Sequence, residues 1–362
     1  MTNGLSDNRA HLNYRSPSEG RDTVRINAGD LYGNGAHEDS KAPSEGRDTV
    51  RINAGDLHGN GAHEDSRSPS EGRDTARIKA GDLHGNGARA YHSAVFIDLD
   101  GTLVERSGNI PASAIEAIKK AQSMGFMIVI TTGRMYRSAR KETARIGVGG
   151  DSAIIAYNGA FAASSGDIRD VYHFSPLPAP EYEAVLDIVL PFCDRGVTVF
   201  CYSDDELYVD REGELLKEYV GRTGAIYKVT DDFRKISGAP KVLALTYFDK
   251  PELLKPVHAK IDSAMKGRIE YAFSFPNYLE LTKLGVTKGA AIPGVLERKG
   301  IPPERTFAIG DSFNDIPMFR ACAVSVAMGG ADEEVRKSAT RVTAPIEKDG
   351  LAEAFENFIL RQ

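Results

Sequence analysis

The sequence predicts an α/β protein with a parallel-sheet core, interrupted by an α+β insertion and preceded by a low-complexity segment. Short apolar runs alternate with helix-forming segments over residues 93–171 and 285–362, and such alternation is typical of parallel sheets. Residues 172–284 follow no such regular order. Residues 1–92 hold too few apolar side chains to form a core of their own. Together these three observations predict the α/β fold class.

Composition excludes several classes of protein. The 362 residues are 41% hydrophobic and 27% charged, the balance of a soluble globular chain. A net charge of −6 argues against general nucleic-acid binding, which needs a basic surface. No apolar run approaches the roughly 18 residues that predict a membrane span, and the first ten residues do not predict a secretory signal. Cys193, Cys201 and Cys322 lack metal-ligand spacing. We therefore expect a cytoplasmic protein that binds neither membranes nor nucleic acids.

The first 92 residues contain a tandem repeat. A unit of 26 residues starts at Pro17, Pro43 and Pro69, with few apolar anchors among Gly, Asn, Ser and Asp. Such units bury too little surface to offset the entropy lost on ordering, so we expect this segment to be mostly disordered. It also holds six of the eight histidines. Weak metal binding by histidine pairs is conceivable, but repetition of one solvated residue is the simpler interpretation.

The strongest chemical signal follows the first strand of the core. Residues 94–97 are all apolar, which predicts a buried parallel strand, and the run leads directly into Asp98 and Asp100. Alternate residues of a strand share a face, so the two carboxylates project to the same side. Carboxylates this close need a cation or a shared proton. The pattern therefore predicts a Mg²⁺ site.

The same residues have two simpler interpretations. Asp98, Asp100 and Gly101 are also ordinary turn residues. A calcium-binding loop is excluded because its twelfth position would be Asn109 rather than glutamate. The turn alternative stays open when the motif is taken alone.

The remaining elements of the core alternate regularly. Gly125 is expected to end the first helix, and proline-rich residues 176–180 mark the entry to the insertion. Predicted core strands cover 126–130, 153–156, 306–309 and 323–327, and predicted helices cover 111–124, 331–339 and 347–360, with others starting at Lys288 and near Asp315. In the insertion, strands are predicted at 197–202, 241–248 and 270–275, and helices at 181–193 and 253–265.

Polar residues follow three further strands or strand-like segments. Thr132 offers a hydroxyl and Gly133 a backbone N–H to a phosphate, and Lys288 can neutralise its charge. Asp311 and Asp315 follow another strand and would share one face if a helix began there. Ligands bind at the carboxyl ends of such strands. Hard oxygen ligands without a His/Cys cluster indicate Mg²⁺ rather than zinc.

Each of these residues also has a structural alternative. Thr132 and Gly133 could cap a helix, Lys288 could lie on the surface, and the later carboxylates could stabilise a helix N-terminus. Asn158 and Gly159 are typical of a hairpin turn. A phosphoryl site is indicated by their shared position at strand ends rather than by any one residue.

A family resemblance rests on six motifs in order. They are Asp98-Leu-Asp100-Gly-Thr102, Thr132-Gly-Arg134, Asn158-Gly-Ala160, Leu279-Glu-Leu281 with Gly285-Val-Thr-Lys288-Gly289, Gly310-Asp311-Ser-Phe-Asn314-Asp315 and Ala327-Met-Gly329. With these, residues 94–362 resemble the haloacid dehalogenase-like (HAD) hydrolase superfamily, specifically its Cof-type phosphatases with a C2-type cap. The resemblance implies a Rossmann-like core over 93–171 and 285–362, and a substrate-selecting cap over 172–284.

The resemblance also implies catalytic and metal-binding roles. Asp98 matches the nucleophile that forms an aspartyl phosphate, and Asp100 matches the general acid and base. Mg²⁺ would be held by Asp98, the backbone carbonyl of Asp100, and Asp311. Asp315 would bind the metal through water or support the other ligands.

Phosphate-binding roles follow from the same resemblance. Thr132, Gly133 and Lys288 would hold the phosphoryl oxygens, Asn314 would lie close to the phosphate, and Asn158 near the substrate. The leading hypothesis is a Mg²⁺-dependent phosphatase of small phosphorylated metabolites such as sugar phosphates. Alternatives are a phosphotransferase or phosphomutase on the same core, and a non-enzymatic scaffold acting through the repeats. Monomer and homodimer both fit the sequence.

Overall fold

The computed structural model describes residues 91–361 of the chain. The predicted repeat segment therefore lies outside the described residues, except for Tyr91 and His92. His92 contacts the folded domain: its Nε2 donates to the Met124 carbonyl oxygen at 2.7 Å, and its ring packs edge-on against Phe126. None of the helices in this part of the chain has the length and apolar character of a membrane span.

The first part of the core alternates strands and helices. In chain order the elements are β1 (Ser93–Ile97), α1 (Ala112–Ser123), β2 (Phe126–Thr131), α2 (Tyr136–Arg145), β3 (Ala153–Ala156), β4 (Phe161–Ser164) and β5 (Val171–Phe174). Every residue of β1, β2 and β3 is buried, as their continuous apolar sequences predict. These three strands are parallel, whereas β4 is antiparallel to β3, and β5 is antiparallel to β4.

The predicted start of the insertion at residue 172 falls inside β5. This strand pairs with β4 in the core sheet, so the chain leaves the sheet only after Phe174. Its four residues are only half-buried at the sheet edge. An edge strand of this kind lacks the continuous apolar run by which the sequence marks the central strands.

Residues beyond β5 build a second sheet. In chain order the elements are α3 (Ala179–Val189), β6 (Thr198–Ser203), β7 (Glu206–Val209), α4 (Glu214–Thr223), β8 (Tyr227–Val229), β9 (Lys241–Leu245), α5 (Lys255–Met265), β10 (Ile269–Phe275) and β11 (Tyr278–Lys283). The strand order is β10-β11-β9-β6-β7-β8, antiparallel except for β7 and β8. Helices cover both faces: Val199 and Val242 pack with α3 and α5, while Phe200 packs against Tyr219 of α4.

Four of these elements were absent from the sequence prediction: β7, α4, β8 and β11. Strand β11 is the most informative, because Glu280 and Thr282 interrupt its apolar pattern and yet are buried. A charged residue in a buried strand requires a polar partner, and sequence periodicity does not reveal one.

The chain then returns to the core sheet. The elements are α6 (Ile292–Lys299), β12 (Thr306–Gly310), α7 (Ile316–Ala321), β13 (Val324–Ala327), α8 (Glu333–Ser338), β14 (Arg341–Val342) and α9 (Gly350–Ala354), which continues as a π-helical turn over Phe355–Ile359. The complete order is β14-β13-β12-β1-β2-β3-β4-β5. Strand β1 lies between β12 and β2, parallel to both, so it joins the two halves of the core.

One predicted helix start is wrong: the helix expected from Lys288 begins at Ile292. The helix predicted near Asp315 begins at Ile316, after a 3₁₀ turn over Phe313–Asp315. In both cases a proline occupies the first turn of the observed helix. Proline is tolerated there but not further inside, where it removes a hydrogen bond and clashes with the preceding turn.

Burial of β1 leads to a stability prediction. Phe96 of β1 is fully buried, whereas Phe248 is 70% exposed. We expect Phe96→Ala to lower the free energy of unfolding by about 3–5 kcal/mol, because it removes packed aromatic volume from the sheet centre. The matched change Phe248→Ala should alter it by less than about 0.5 kcal/mol. Urea denaturation followed by circular dichroism measures both, and equal losses would contradict this assignment of the core.

Candidate active site

Three adjacent parallel strands of the core end at one edge of the sheet, and the residues that follow them line a single cleft. Asp98 follows β1, Thr132 follows β2 and Asp311 follows β12. The cleft contains seven of the nine residues predicted for the site: Asp98, Asp100, Thr132, Gly133, Lys288, Asp311 and Asn314. The other two, Asn158 and Asp315, lie behind its wall, in contact with cleft residues.

Lys288 is the centre of the site's charge network. Its side chain is 1% exposed, and its ammonium group donates to Asp98 Oδ1 at 2.5 Å and to Asp315 Oδ1 at 2.6 Å. A buried ammonium group is tolerated only when such partners compensate its lost hydration. The alternative of a surface lysine is therefore excluded.

Asp315 supports the loop that carries Asp311. Its second oxygen, Oδ2, accepts hydrogen bonds from the backbone N–H groups of Asp311 and Ser312, both at 3.0 Å. The two aspartates are thus connected through a turn. They do not share one face of a helix, which was the arrangement expected if a helix began there. With one oxygen on Lys288 and the other on the backbone, Asp315 fixes both neighbours.

Three carboxylates form a compact group of oxygen donors. Asp98, Asp311 and Asp315 can each place one oxygen within 4.8 Å of the others. Carboxylate oxygens suit a hard divalent cation such as Mg²⁺. Thr102, which the sequence did not assign, orients the group by donating from Oγ1 to Asp311 Oδ1 at 2.9 Å.

Burial and mutual repulsion govern the ionisation of this group. Burial raises the pKa of Asp98 well above its usual value; the charge of Lys288 opposes this, and the neighbouring aspartates add to it. Burial, followed by the charge of Asp315, raises the pKa of Asp311 to about 7. A bound cation would favour the ionised form of both groups. The residues present therefore fit a divalent metal.

Asp100 is held by an arginine that sequence reasoning quoted in a motif but gave no role. Arg134 donates to both carboxylate oxygens of Asp100, from Nε to Oδ2 at 2.8 Å and from Nη2 to Oδ1. Burial by itself would raise the pKa of Asp100, but the hydrogen bonds and charge of Arg134 outweigh it and lower the pKa. This arrangement favours the ionised form of Asp100, which is the form that can accept a proton.

Thr132 lines the cleft and does not cap a helix. It is 1% exposed, and α2 begins only at Tyr136. Its Oγ1 accepts from the backbone N–H of Arg134 at 3.1 Å. The hydroxyl hydrogen is not used in that contact, so it can be donated to another acceptor.

Asn158 links the core to the second sheet. It lies in the turn between β3 and β4 with a φ of 55°, a conformation that asparagine tolerates better than most residues. Its Oδ1 accepts from Asn314 Nδ2 at 3.2 Å, and its Nδ2 donates to Glu280 Oε2. Asn158 therefore positions Asn314 and anchors the insertion, instead of lining the cleft itself.

The insertion contributes a second buried ion pair. Lys241 and Glu280 lie 3.5 Å apart and are 1% and 5% exposed. Lys241 also donates to the backbone carbonyl of Gly133 at 2.5 Å, and Glu280 accepts from Ser274 Oγ at 2.9 Å. Sequence reasoning missed both charged residues. The available signal was a glutamate inside the apolar run Leu279-Glu-Leu281.

The fold and this site together define an enzyme that acts on phosphate esters. A family model described as haloacid dehalogenase-like hydrolase matches residues 95–355. The chain belongs to this family.

Named relatives agree with this assignment. The 5-amino-6-(5-phospho-D-ribitylamino)uracil phosphatase YitU of Bacillus subtilis is 24% identical over 270 residues, covering 73% of this chain and 96% of its own. The pyridoxal phosphate phosphatase YbhA of Escherichia coli is 24% identical, covering 72% and 96%. The solved structure of the HAD subclass IIB sugar phosphatase BT4131 is 27% identical, covering 74% and 98%, with a TM-score of 0.61. The chain is a phosphatase of the HAD type.

Gly101 gives a test of the acidic site. Its φ is 90°, and a Cβ atom there would collide with the Asp311 carboxylate. We expect Gly101→Ala to lower kcat/KM by more than about 100-fold, because it displaces the carboxylates from their working positions. Phosphate release from a hydrolysed substrate measures the loss.

Gly108 is the matched control. Its φ is 83°, but a Cβ atom there meets nothing within 4 Å. Gly108→Ala should cost about 1 kcal/mol of stability through backbone strain and leave activity intact. Equal loss of activity in both variants would mean that loop strain, and not the Asp311 contact, is responsible.

Proposed function

We propose that this chain is a Mg²⁺-dependent phosphatase that hydrolyses small phosphorylated metabolites, sugar phosphates among them, through an aspartyl-phosphate intermediate. The observation that carries the proposal is buried Lys288 between Asp98 and Asp315, beside Asp311. A buried cation and a carboxylate that could act as the nucleophile, together at one strand edge, support phosphoryl transfer, which requires both. Relatives named as phosphatases of a sugar and of other small phosphorylated compounds support the substrate class.

In the first step Asp98 is the nucleophile. One of its oxygens forms a bond to phosphorus while the bond from phosphorus to the leaving oxygen breaks. Asp100 in its protonated form gives a proton to that oxygen, and the alcohol departs. Lys288, Thr132 and the backbone N–H of Gly133 hold the phosphoryl oxygens and stabilise their charge.

In the second step water attacks the phosphorus of the aspartyl phosphate. Asp100, now ionised, accepts a proton from that water. The bond between phosphorus and the Asp98 oxygen breaks, which releases inorganic phosphate and restores the Asp98 carboxylate. Arg134 suits this step because it favours ionised Asp100. Asn314 lies beside the phosphate position, and Asn158 holds it there.

The metal would be held by Asp98, Asp311 and the backbone carbonyl of Asp100, with Asp315 supporting them. When bound, Mg²⁺ neutralises the repulsion between carboxylates and phosphate and polarises the phosphoryl group. We further propose that the second sheet is a C2-type cap on a core formed by the residues before and after it. The cytoplasm and a monomer or homodimer remain our proposals for its location and assembly, in line with its acidic net charge of −6 and with free cysteines among the described residues.

The nucleophile is tested by substitution. Asp98→Asn should lower phosphate release by more than about a thousandfold, because the amide is a poor nucleophile. The assay uses a panel of phosphorylated metabolites with Mg²⁺ or EDTA. Asp249→Asn, at an exposed position, is the matched control and should retain full activity.

Other outcomes of this assay would change the proposal. Release that survives in Asp98→Asn would exclude Asp98 as the nucleophile. Release that is insensitive to EDTA would exclude the metal. Transfer of phosphate to a second sugar without release of inorganic phosphate would identify a phosphotransferase or phosphomutase instead.

Metal binding is expected to depend on pH in a defined direction. The pKa of Asp311 rises from 3.8 to about 7 on folding, mainly through burial. The folded metal-free protein therefore binds this proton more tightly than the unfolded chain, and loses stability as the pH rises through that interval. Because Mg²⁺ needs the ionised carboxylate, it should raise the melting temperature more at about pH 8 than at about pH 5.5.

Differential scanning fluorimetry with MgCl₂, against KCl of equal ionic strength, measures this difference. Asp311→Asn is the control, since it removes the titrating group and should abolish the Mg²⁺-dependent increase at both pH values. An increase of equal size at both pH values in the unmodified protein would contradict the proposed linkage.

A further inference from the structure

The roof of the cleft is formed by the second sheet and its helix α4. The lining residues from these elements are Tyr219, Arg222, Thr223, Ser274, Phe275, Tyr278 and Glu280. None of them has a role in the reaction proposed above. Their position opposite Asp98 and Asp100 is where the alcohol part of a bound phosphate ester must lie.

Arg222 differs from the other cations of the cleft. Three cationic side chains line the cleft, and two of them are neutralised by carboxylates. Arg134 pairs with Asp100, and Lys288 pairs with Asp98 and Asp315. Arg222 forms no ion pair with any carboxylate among residues 91–361; its one hydrogen bond is to a tyrosine hydroxyl. It is therefore the cation of the cleft whose charge is left for a ligand.

Aromatic rings hold Arg222 in place without neutralising it. Its guanidinium carbon lies 5.1 Å from the ring centre of Phe275, 5.2 Å from that of Tyr278 and 5.9 Å from that of Tyr219. Its Nη2 donates to the Tyr278 hydroxyl at 3.0 Å. Contacts of this type orient a guanidinium group and reduce the entropy lost when it binds an anion.

We propose that Arg222 binds a second anionic group on the alcohol part of the substrate, so that the enzyme prefers phosphate monoesters that also carry a carboxylate or a second phosphate. This inference rests on the proposed phosphatase function. The guanidinium group offers parallel N–H donors that match either anion. The rest of the cleft is rich in carboxylates, Asp98, Asp100, Asp311 and Glu280. A second anion would be repelled there unless a cation faced it.

The test compares substrates that differ only in charge. Glucitol 6-phosphate and 6-phosphogluconate are both open-chain esters. The first ends in a CH₂OH group, and the second has a carboxylate at that position. Glycerol 3-phosphate and 3-phosphoglycerate form a shorter pair of the same kind. We expect the unmodified enzyme to show a higher kcat/KM, by about tenfold or more, for the carboxylate member of at least one pair.

Substitution of Arg222 assigns the preference to this residue. Arg222→Gln should remove the preference, chiefly by raising KM for the carboxylate member, and leave the alcohol member unchanged. Arg222→Lys keeps the charge without the planar fork and should retain part of it. Arg211→Gln is the matched control, because Arg211 lies in the same insertion, is exposed and pairs with Asp210 at 3.0 Å. It should leave both substrates unaffected.

The outcomes separate this inference from the proposed function. Hydrolysis of both members of each pair with equal kcat/KM would overturn the role of Arg222 and leave the phosphatase intact. A preference that survives Arg222→Gln, with an unchanged melting temperature, would overturn it as well. Failure to release phosphate from any compound of the panel would overturn the proposed function and this inference with it.

Discussion

Lys288 holds Asp98 and Asp315 together at the end of the central strand, out of contact with water. Removing one partner of such a group leaves an uncompensated buried charge, which costs about 3–5 kcal/mol. The fold is arranged so that this does not occur: β1 supplies the first aspartate, the turn after β12 supplies the second, and the loop before α6 supplies the lysine. The charges of the site are therefore balanced only when the two halves of the core are packed together.

A second polar network connects the insertion to the same edge. Lys241 and Glu280 are buried as a pair, and each also contacts the core, Lys241 through the Gly133 carbonyl and Glu280 through Asn158. The loop that presents Thr132 is thus held by the insertion as well as by its own strand. Any change in the position of the second sheet acts directly on the loop that follows β2, which lines the cleft.

Much of this architecture could be predicted, because apolar strands that end in polar residues leave a clear local pattern. Asp98, Thr132 and Asp311 were found in this way, and the structure brings them into one cleft. Arg134, Lys241 and Glu280 were missed because their importance depends on partners 34 or more residues away in sequence. The start of α6 was misjudged because the pattern was weighed without the proline in its first turn. Residues 1–90 lie outside the described structure, so their predicted disorder stays a prediction.

The parallel pairing of β1 with β12 has a consequence for folding. Thr102 and Asp311 are in contact although 209 residues separate them, and Lys288 reaches Asp98 across 190. Contacts of such high sequence separation form slowly, since a long loop must close first. During synthesis from the N-terminus, β1 remains without one of its two neighbours until almost the whole chain has emerged. The apolar strand that ends before Asp98 is accordingly unpaired along one edge during most of synthesis, and an unpaired apolar edge favours aggregation.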